Sequence, residues 1–406
     1  MRSLVLISSA LILSLAVDRS AAAQAPTNPP PSSVTSSAGN VTIERLATLE
    51  FPWGLAMLPD GRLLITEKPG RLRIWENGRL SEPVQGVPSV VYRGPPFEQG
   101  GLLDVEADPN FTANRLVYLS FVEAHPQGIR DAETGELRFG TFVDYGDSIV
   151  RGGAVARGRL EGNQLRDVQV IWRQVPKVTG PNHWGSRLVF RPDGTLFVTL
   201  GDRYHYLERA QDLSTTLGKI VRINADGSVP RDNPFVGREG VRPDIWSYGH
   251  RNIQAAALDA RGQLWTVEHG ARGGDELNNP QPGKNYGWPI ITYGLDYSGA
   301  RIGVGTAQPG MEQPVYYWDP VIAPSGATFY TGDAFPDWKG DLLVGSLRPG
   351  ALVRPRLEAG RVVLEERYLA ELGERIRDVR QAPDGTIYLL TDSSRGRVLR
   401  VEPPTR

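Results

Sequence analysis

The chain has 406 residues, with 45 Lys or Arg against 46 Asp or Glu, so its formal net charge is −1. A charge so close to zero argues against nucleic acid or an anionic membrane surface as partner, since both require a large basic surplus. The absence of cysteine excludes disulfides, thiolate metal sites and a cysteine nucleophile. With 46 Gly, 32 Pro and 40% hydrophobic residues, the composition indicates a turn-rich globular protein.

The N-terminus has the form of a secretory signal peptide over residues 1–23. A positive start is followed by an apolar run from Leu4 to Val17 and by three alanines at 21–23. This run is shorter than the ~20 residues that a spanning helix needs, so we expect cleavage and no membrane span in the mature protein. Residues 24–40 are rich in Pro, Ser and Thr and predict a disordered leader. Export without disulfides fits a bacterial periplasm, or secretion from a bacterium.

A unit of two β-rich runs joined by a turn recurs along the rest of the chain. The six copies are Gly54–Thr66, Leu102–Ser120, Ser186–Thr199, Ile253–Thr266, Ala327–Gly345 and Ile376–Thr391. Several contain Asp-Gly between two alternating runs, which is the strongest short-range signal for a β-hairpin. Third strands are predicted at Leu72–Trp75, Lys219–Ile223, Ala351–Arg356 and Val398–Val401.

Six such units predict an all-β fold, a six-bladed β-propeller with four-stranded antiparallel blades over residues 41–404. A closed ring accounts for so long a single domain. We expect the first strand, Val41–Leu49, to complete one blade with the last, Arg397–Val401. A pair of β-sandwiches or a β-helix is the alternative.

Polar residues cluster next to the repeated strands, where the loops of a propeller converge on its central channel. His183 stands in the segment that enters the third unit. An imidazole titrates near neutral pH, so His183 is the best candidate for a general base. A structural histidine bonded to a loop carbonyl is the alternative.

Four arginines occupy equivalent ends of three units: Arg251, Arg348, Arg375 and Arg377. Guanidinium groups that face one channel repel each other unless an anion lies among them, and they bind carboxylates bidentately. As a set they indicate a polyanionic small ligand, whereas each alone could be a surface ion pair.

A Gly-rich acidic segment, EHGARGGDELNNPQPGKNYGWP, begins at Glu268. Its carboxylates and flexible backbone carbonyls offer the hard oxygen ligands that calcium prefers. Further on, Tyr316 and Trp318 could offer flat faces to a sugar ring, or could pack in the core.

Six motifs in order resemble one family, the soluble pyrroloquinoline quinone (PQQ)-dependent sugar dehydrogenases, which are also called glucose/sorbosone dehydrogenases. The motifs are HWGSRLVFRPDGTLFVTLGD, LGKIVRINADGSVPRDNPF, GHRNIQ, EHGARGGDELN with NYGWP, WDPVIAPSGATFY and RIRDV. The resemblance extends over about residues 51–401 and is closest to the aldose sugar dehydrogenase branch. It implies a six-bladed propeller, which agrees with the repeat count.

The resemblance also implies roles for individual residues. His183 matches the catalytic base that removes the proton of the anomeric hydroxyl while a hydride passes to the quinone. Matches to cofactor-contacting residues are Gln99, Arg251, Asn252, Tyr297, Arg348, Arg375 and Arg377. Matches to calcium ligands are Gly270 and Ala271, for the ion that bridges to the cofactor, and Glu276 and Tyr286, for a further ion.

The sequence departs from the glucose-oxidising branch in three respects. Asn182 replaces an acid before the catalytic histidine, Arg348 replaces a lysine, and long insertions near the fifth blade are missing. These departures predict a more open groove and a broader range of aldoses. The expected partners are aldose sugars and an external electron acceptor, either a quinone or a cytochrome, with the protein a monomer or homodimer. A calcium-dependent propeller lactonase and a non-catalytic glycan- or protein-binding propeller are the rival functions.

Overall fold

The structure is a computed structural model that describes residues 33–35, 41–95, 98–125 and 149–403. The predicted signal peptide lies outside these ranges. No helix in them is long and apolar enough to cross a membrane. The helical elements are one α-helix, Phe111–Asn114, and three 3₁₀-helices, Leu207–Gln211, Pro336–Trp338 and Ala370–Leu372.

The strands form six sheets, and their bounds follow in chain order. The first two strands are β1 (Ser33–Thr35) and β2 (Thr42–Leu49). Blade 1 contains β3 (Pro52–Met57), β4 (Leu63–Glu67), β5 (Arg71–Glu76) and β6 (Arg79–Leu80). Blade 2 contains β7 (Leu102–Ala107), β8 (Leu116–Ala124), β9 (Arg151–Glu161) and β10 (Gln164–Arg173). Blade 3 contains β11 (Gly185–Phe190), β12 (Thr195–Leu200), β13 (Lys219–Asn224) and β14 (Ile245–Tyr248).

The other three blades have the same order. Blade 4 contains β15 (Ile253–Leu258), β16 (Leu264–Glu268), β17 (Asp275–Asn278) and β18 (Tyr316–Trp318). Blade 5 contains β19 (Pro324–Phe329), β20 (Leu342–Ser346), β21 (Ala351–Glu358) and β22 (Arg361–Tyr368). Blade 6 contains β23 (Ile376–Gln381), β24 (Ile387–Thr391), β25 (Gly396–Glu402) and, on its outer edge, β2.

The ring closes through the first and last strands, as the sequence predicted. Strand β2 pairs antiparallel with β25, so a strand from near the N-terminus completes the blade whose other three strands come from the C-terminal end of the chain. All six hairpin units and the four predicted third strands are present, which confirms the six-bladed propeller. Within the predicted leader, β1 pairs in parallel with β22 at the edge of blade 5.

A repeated turn explains why the inner two strands of several blades form. In three blades an aspartate carboxylate accepts a hydrogen bond from the backbone N–H of the residue two positions later. Asp60 accepts from Arg62, Asp193 from Thr195 and Asp384 from Thr386. The intervening glycine has a positive φ between 82° and 88°, which a side chain would disfavour. The Asp-Gly pairs of the sequence are therefore these turns.

The hydrophobic core lies between the blades. Six buried clusters each join two neighbouring blades, and one of them, with Leu55 of blade 1 and Leu390 of blade 6, seals the closure. On the axis, the buried Arg187 guanidinium lies 3.2 Å from Asp104 and 3.1 Å from Asp378. These ion pairs connect blades 2, 3 and 6. The candidate functional loops lie at one end of the ring.

Candidate active site

The candidate site lies where second strands of the blades end and innermost strands begin. His183 precedes β11, and Asp202 follows β12 of the same blade. His183 Nδ1 lies 2.7 Å from Asp202 Oδ1, and both residues are buried. With Nδ1–H donating to the carboxylate, Nε2 is left as the acceptor. It makes no hydrogen bond to a described residue, so it is the nitrogen that can take a proton.

The electrostatic surroundings keep His183 neutral. Burial lowers its pKa below the ordinary value, and the nearby Arg251 lowers it further, while Asp202 opposes both effects. A neutral imidazole can accept a proton at neutral pH.

The backbone around His183 is held in an uncommon conformation. Its φ is 54°, in the left-handed region that non-glycine residues rarely occupy. The side chain of Gln99 accepts the His183 N–H at 3.0 Å. A Cβ at Gly201 would collide with the His183 carbonyl, so this glycine permits the close approach of the two loops. Such strain concentrates at functional sites.

Arg251 lies at the entrance to the fourth blade. Its guanidinium donates to the carbonyls of His269 and Gly270 and lies 3.5 Å from the hydroxyl of Tyr297. Tyr297 is 58% exposed, so its ring borders the open side of the site. The neighbouring Asn252 accepts the Gly185 N–H and so fixes the start of β11.

A second cluster gathers cations around one carboxylate, Asp392. Arg377 donates to Oδ2 of Asp392 at 2.7 Å, and Arg375 donates to the same oxygen at 3.1 Å. Lys68 Nζ lies 3.7 Å from Oδ1. Three positive charges therefore face one negative charge, and the Lys68, Arg377 and Asp392 side chains are each at most 7% exposed.

His269 lies between the two halves of the site. It is half-buried, and its Nε2 lies 2.7 Å from the carbonyl of Pro324. Burial lowers the pKa of His269 to about 3, and Arg251, His183 and Arg377 all act on it in the same direction. His269 is thus close both to His183, the predicted base, and to Arg377 of the cation cluster. Arg348 follows β20 and is exposed, and the structure shows no side-chain hydrogen bond for it among the described residues.

Of the predicted calcium ligands, Gly270, Ala271 and Tyr286 are buried and Glu276 is half-buried. Glu276 pairs across the sheet with Glu268, and burial together with the Glu268 charge raises the pKa of Glu276 well above its usual value. The buried Oδ1 of Asn278 has no hydrogen-bond partner among the described residues. A void of about 10 Å³, room for one small ion or water, is lined by Gly270, Glu276 and Tyr286, among others. Within the described residues, no group of three or more His, Cys, Asp or Glu side chains is arranged so that it could hold a metal ion.

Tyr286 and Ala271 could contribute only through the main chain. The Tyr286 hydroxyl donates to the carbonyl of Asn279 and accepts from Gln281 N–H, so it is already occupied. Ala271 is buried beside Gly270, whose carbonyl accepts from the Arg251 guanidinium.

Two aromatic residues predicted for the substrate lie in the core. Trp318 and Tyr316 are 3% and 7% exposed, and both donate to the carboxylate of Glu365. A buried ring cannot stack on a sugar, so we remove both from the candidate site. Their spacing in a short strand, β18, is that of core positions rather than of a binding platform.

Sequence reasoning assigned no role to Asp202, Asp392 or Lys68. Their positions in the repeat could have indicated a role. Lys68 and Asp392 directly follow the second strand of their units, and Asp202 lies two residues beyond it, as Arg348 does. Aligning the six units by strand end would have brought all of them together on one face.

Several known proteins are similar to this chain over most of its length. A curated relative, aldose sugar dehydrogenase YliI of Escherichia coli (strain K12), is 43% identical over 362 residues, covering 87% of this chain and 91% of the relative. A crystal structure of a glucose dehydrogenase is 47% identical with a TM-score of 0.80, covering 88% of this chain and 99% of that one. The PQQ-bound aldose sugar dehydrogenase of Streptomyces coelicolor is 26% identical with a TM-score of 0.68, covering 92% and 99%.

The fold and these relatives together define a β-propeller sugar dehydrogenase, an oxidoreductase. The family model for Glucose / Sorbosone dehydrogenase matches residues 49–400. The chain belongs to that family.

Proposed function

We propose that the protein is an exported PQQ-dependent aldose dehydrogenase that oxidises the sugar at C1 to a lactone, with calcium as second cofactor. The observation that carries this proposal is the excess of positive charge at Asp392. Two buried cations, Lys68 and Arg377, and the more exposed Arg375 share one carboxylate there, so positive charge exceeds negative charge in the buried part of the cluster. Unpaired buried charge is costly, so a site of this kind is built for an anion.

PQQ fits this site because it carries three carboxylates on a flat ring system. Arg375, Arg377 and Arg348 would hold the carboxylates, and Gln99, Asn252 and Tyr297 would contact the ring. The orphaned Nε atoms of Arg251 and Arg377 agree with a missing polar partner. The PQQ-bound relative supports the same cofactor.

Calcium fits the residues around Glu276. The pair Glu268 and Glu276, the unpartnered Asn278 oxygen and the adjoining void provide hard oxygen and room for one ion. The Gly270 and Ala271 carbonyls would hold a separate ion, the one next to the cofactor. Because Arg251 donates to the Gly270 carbonyl in this structure, an ion there would compete with the guanidinium for that oxygen.

When bound, the quinone supplies a hydride acceptor and calcium polarises it. His183 removes the proton of the C1 hydroxyl through Nε2, so that the C1–H bond can break as the lactone carbonyl forms. Asp202 holds the ring in the tautomer that leaves Nε2 free and stabilises the imidazolium that results. The arginines fix the cofactor by its carboxylates and do not take part in proton transfer.

The reduced protein would pass its electrons to an external quinone or cytochrome. We place it in the periplasm or outside a bacterial cell, on the basis of the signal-like N-terminus. A lactonase remains a second candidate, because a channel-bound calcium also serves that reaction. The cation cluster at Asp392 favours the dehydrogenase, since hydrolysis of a lactone has no use for a trianion site.

The test adds PQQ and calcium to the purified apoprotein and follows the quinone absorption before and after an aldose is added. Binding followed by bleaching is expected. His183→Ala should bind PQQ as the wild type does but reduce dyes about 10²–10⁴-fold more slowly, the usual contribution of a general base. Near-normal turnover by this variant would remove His183 from the mechanism, and failure of the wild type to bind PQQ would overturn the proposed function.

A further inference from the structure

Lys68 has surroundings that its position in the core does not explain. It directly follows β4 in blade 1 and is 5% exposed. Its Nζ makes no hydrogen bond to a described residue, and its nearest carboxylate oxygen is 3.7 Å away. The other contact is the face of Phe51, at 5.0 Å from the ring centroid. An ammonium group has three donors, and burying them without acceptors is costly.

Hydrogen bonds on both sides of Lys68 fix its backbone, which restricts the direction that its side chain can take. Lys68 N–H donates to the Phe51 carbonyl at 3.1 Å, and the Lys68 carbonyl accepts from Leu102 N–H at 3.0 Å. Gly101 has a φ of 125°, and a Cβ there would collide with the same carbonyl. Blades 1 and 2 thus clamp this residue at the edge of the site.

The charges around Lys68 do not balance within the protein. Asp392 faces it, but Oδ2 of Asp392 already accepts from Arg377 and Arg375. Glu98 is the other acid acting on Lys68, and it pairs with the fully buried Arg151 at 3.2 Å. Among the described residues, the other side-chain partners of Arg377 are the neutral Gln254 and Ser325.

We propose that Lys68 is a further anion-binding residue of the site, which donates to a carboxylate of the bound cofactor and shares Asp392 with Arg377. This proposal rests on the proposed function for the identity of the anion. It brings blade 1 into a site otherwise built from blades 3 to 6 and the loop that carries Gln99. Lysine binds carboxylate as a point charge, whereas the arginines bind it as planar forks.

Without an anion, burial lowers the pKa of Lys68 to about 8, and Arg377 and Arg375 add to this effect while Asp392 and Glu98 oppose it. The phenol of Tyr92 also lies near Asp392 and Glu98, and its pKa is raised by burial to about 12, so it stays neutral. An anion binds the protonated lysine, and affinity should therefore fall as pH rises through the Lys68 pKa.

The test measures PQQ affinity of the apoprotein by isothermal titration calorimetry for wild type, Lys68→Met and Lys68→Arg. Met keeps the length and apolar stem and removes the charge. We expect Lys68→Met to weaken PQQ binding about tenfold or more, as for loss of a charge-assisted hydrogen bond. The affinity of this variant should no longer decline as the pH rises above neutral. Lys68→Arg should bind tightly and lose that decline too, because a guanidinium stays charged. Lys284→Met, at an exposed lysine paired with Glu312, is the matched control and should bind as the wild type does.

Melting temperatures of the variants separate a binding defect from misfolding. The proposal is overturned if folded Lys68→Met binds PQQ with wild-type affinity and the same pH dependence. A second titration uses benzene-1,3,5-tricarboxylate, a trianion without a quinone. If the wild type binds this probe but not PQQ, the proposed function fails, and the effect of Lys68→Met on the probe still decides the role of Lys68. If the wild type binds neither, both proposals fail.

Discussion

The carboxylate of Asp202 joins His183 to the fourth blade. Its Oδ1 lies 2.7 Å from His183 Nδ1, and its Oδ2 accepts from Trp288 Nε1 at 2.8 Å. Trp288 belongs to the segment between β17 and β18, whereas the other two residues flank the β11–β12 hairpin. The orientation of the proposed base is therefore set jointly by blades 3 and 4.

This relationship predicts the behaviour of Asp202→Asn. The carboxylate raises the pKa of His183 against burial and Arg251, so its removal should lower that pKa further. The neutral, active form of His183 would then persist to lower pH, and the acidic limb of the kcat profile should move to lower pH. At the same time kcat should fall about 10–100-fold, because the ring loses the partner that fixes its tautomer.

The measurement is kcat against pH with saturating PQQ and calcium. Asp193→Asn, at a turn aspartate on the far end of the same hairpin, serves as control and should leave both the limb and kcat unchanged. An acidic limb that does not move in Asp202→Asn would show that Asp202 does not act through His183.

Arg375 and Arg377 provide a graded test of the cation cluster. Arg377 is buried and donates to Asp392, Gln254 and Ser325, whereas the Arg375 side chain is 51% exposed. A lysine keeps the charge but cannot reach several acceptors at once. Arg377→Lys should weaken PQQ binding about tenfold or more, and Arg375→Lys should weaken it less, since solvent screens the exposed pair. Calorimetric titration measures both, and a larger loss for Arg375→Lys would contradict this assignment of the buried cation.

Much of the architecture could be predicted from the sequence because it follows from local patterns. Alternating apolar runs indicate the strands, and Asp-Gly turns such as Asp193-Gly194 specify the hairpins of three blades. The closing pair of β2 with β25 followed from the count of strands. The site was harder, because its residues meet only across blades. Lys68 and Asp392 are 324 positions apart in the chain, and no local pattern connects them. Trp318 was misjudged for the same reason, since its partner Glu365 lies in the next blade.

Glu276 predicts a response to calcium. Its carboxyl faces Glu268 in a buried site, so a divalent ion should relieve the repulsion and raise the melting temperature of the apoprotein. Glu276→Gln keeps the shape of the side chain but cannot supply the negative charge that an ion would bind. We expect this variant to match or exceed the wild type in melting temperature without calcium and to lose most of the increase that calcium causes.

Scanning calorimetry with calcium and with a chelator measures this difference. Glu312→Gln, at an exposed acid paired with Lys284, is the control and should retain the full calcium response. An undiminished response in Glu276→Gln would place the ion elsewhere.

Lys219 predicts a loss of stability that is separate from ligand binding. Its Nζ is fully buried and donates to the carbonyls of Arg209, Ala210 and Leu217 at 2.7–3.0 Å. Lys219→Met leaves the Leu217 carbonyl without a donor, whereas the Arg209 and Ala210 carbonyls still accept from the N–H groups of Asp212 and Gly249. An unsatisfied buried group costs about 1–3 kcal/mol, and relief of the buried charge offsets part of that cost. We expect the free energy of unfolding to fall by about 1–2 kcal/mol, measured by urea denaturation of the apoprotein. The exposed Lys284→Met should unfold at the wild-type midpoint, and equal midpoints for the two variants would show that the three hydrogen bonds do not stabilise the loop that follows Asp202.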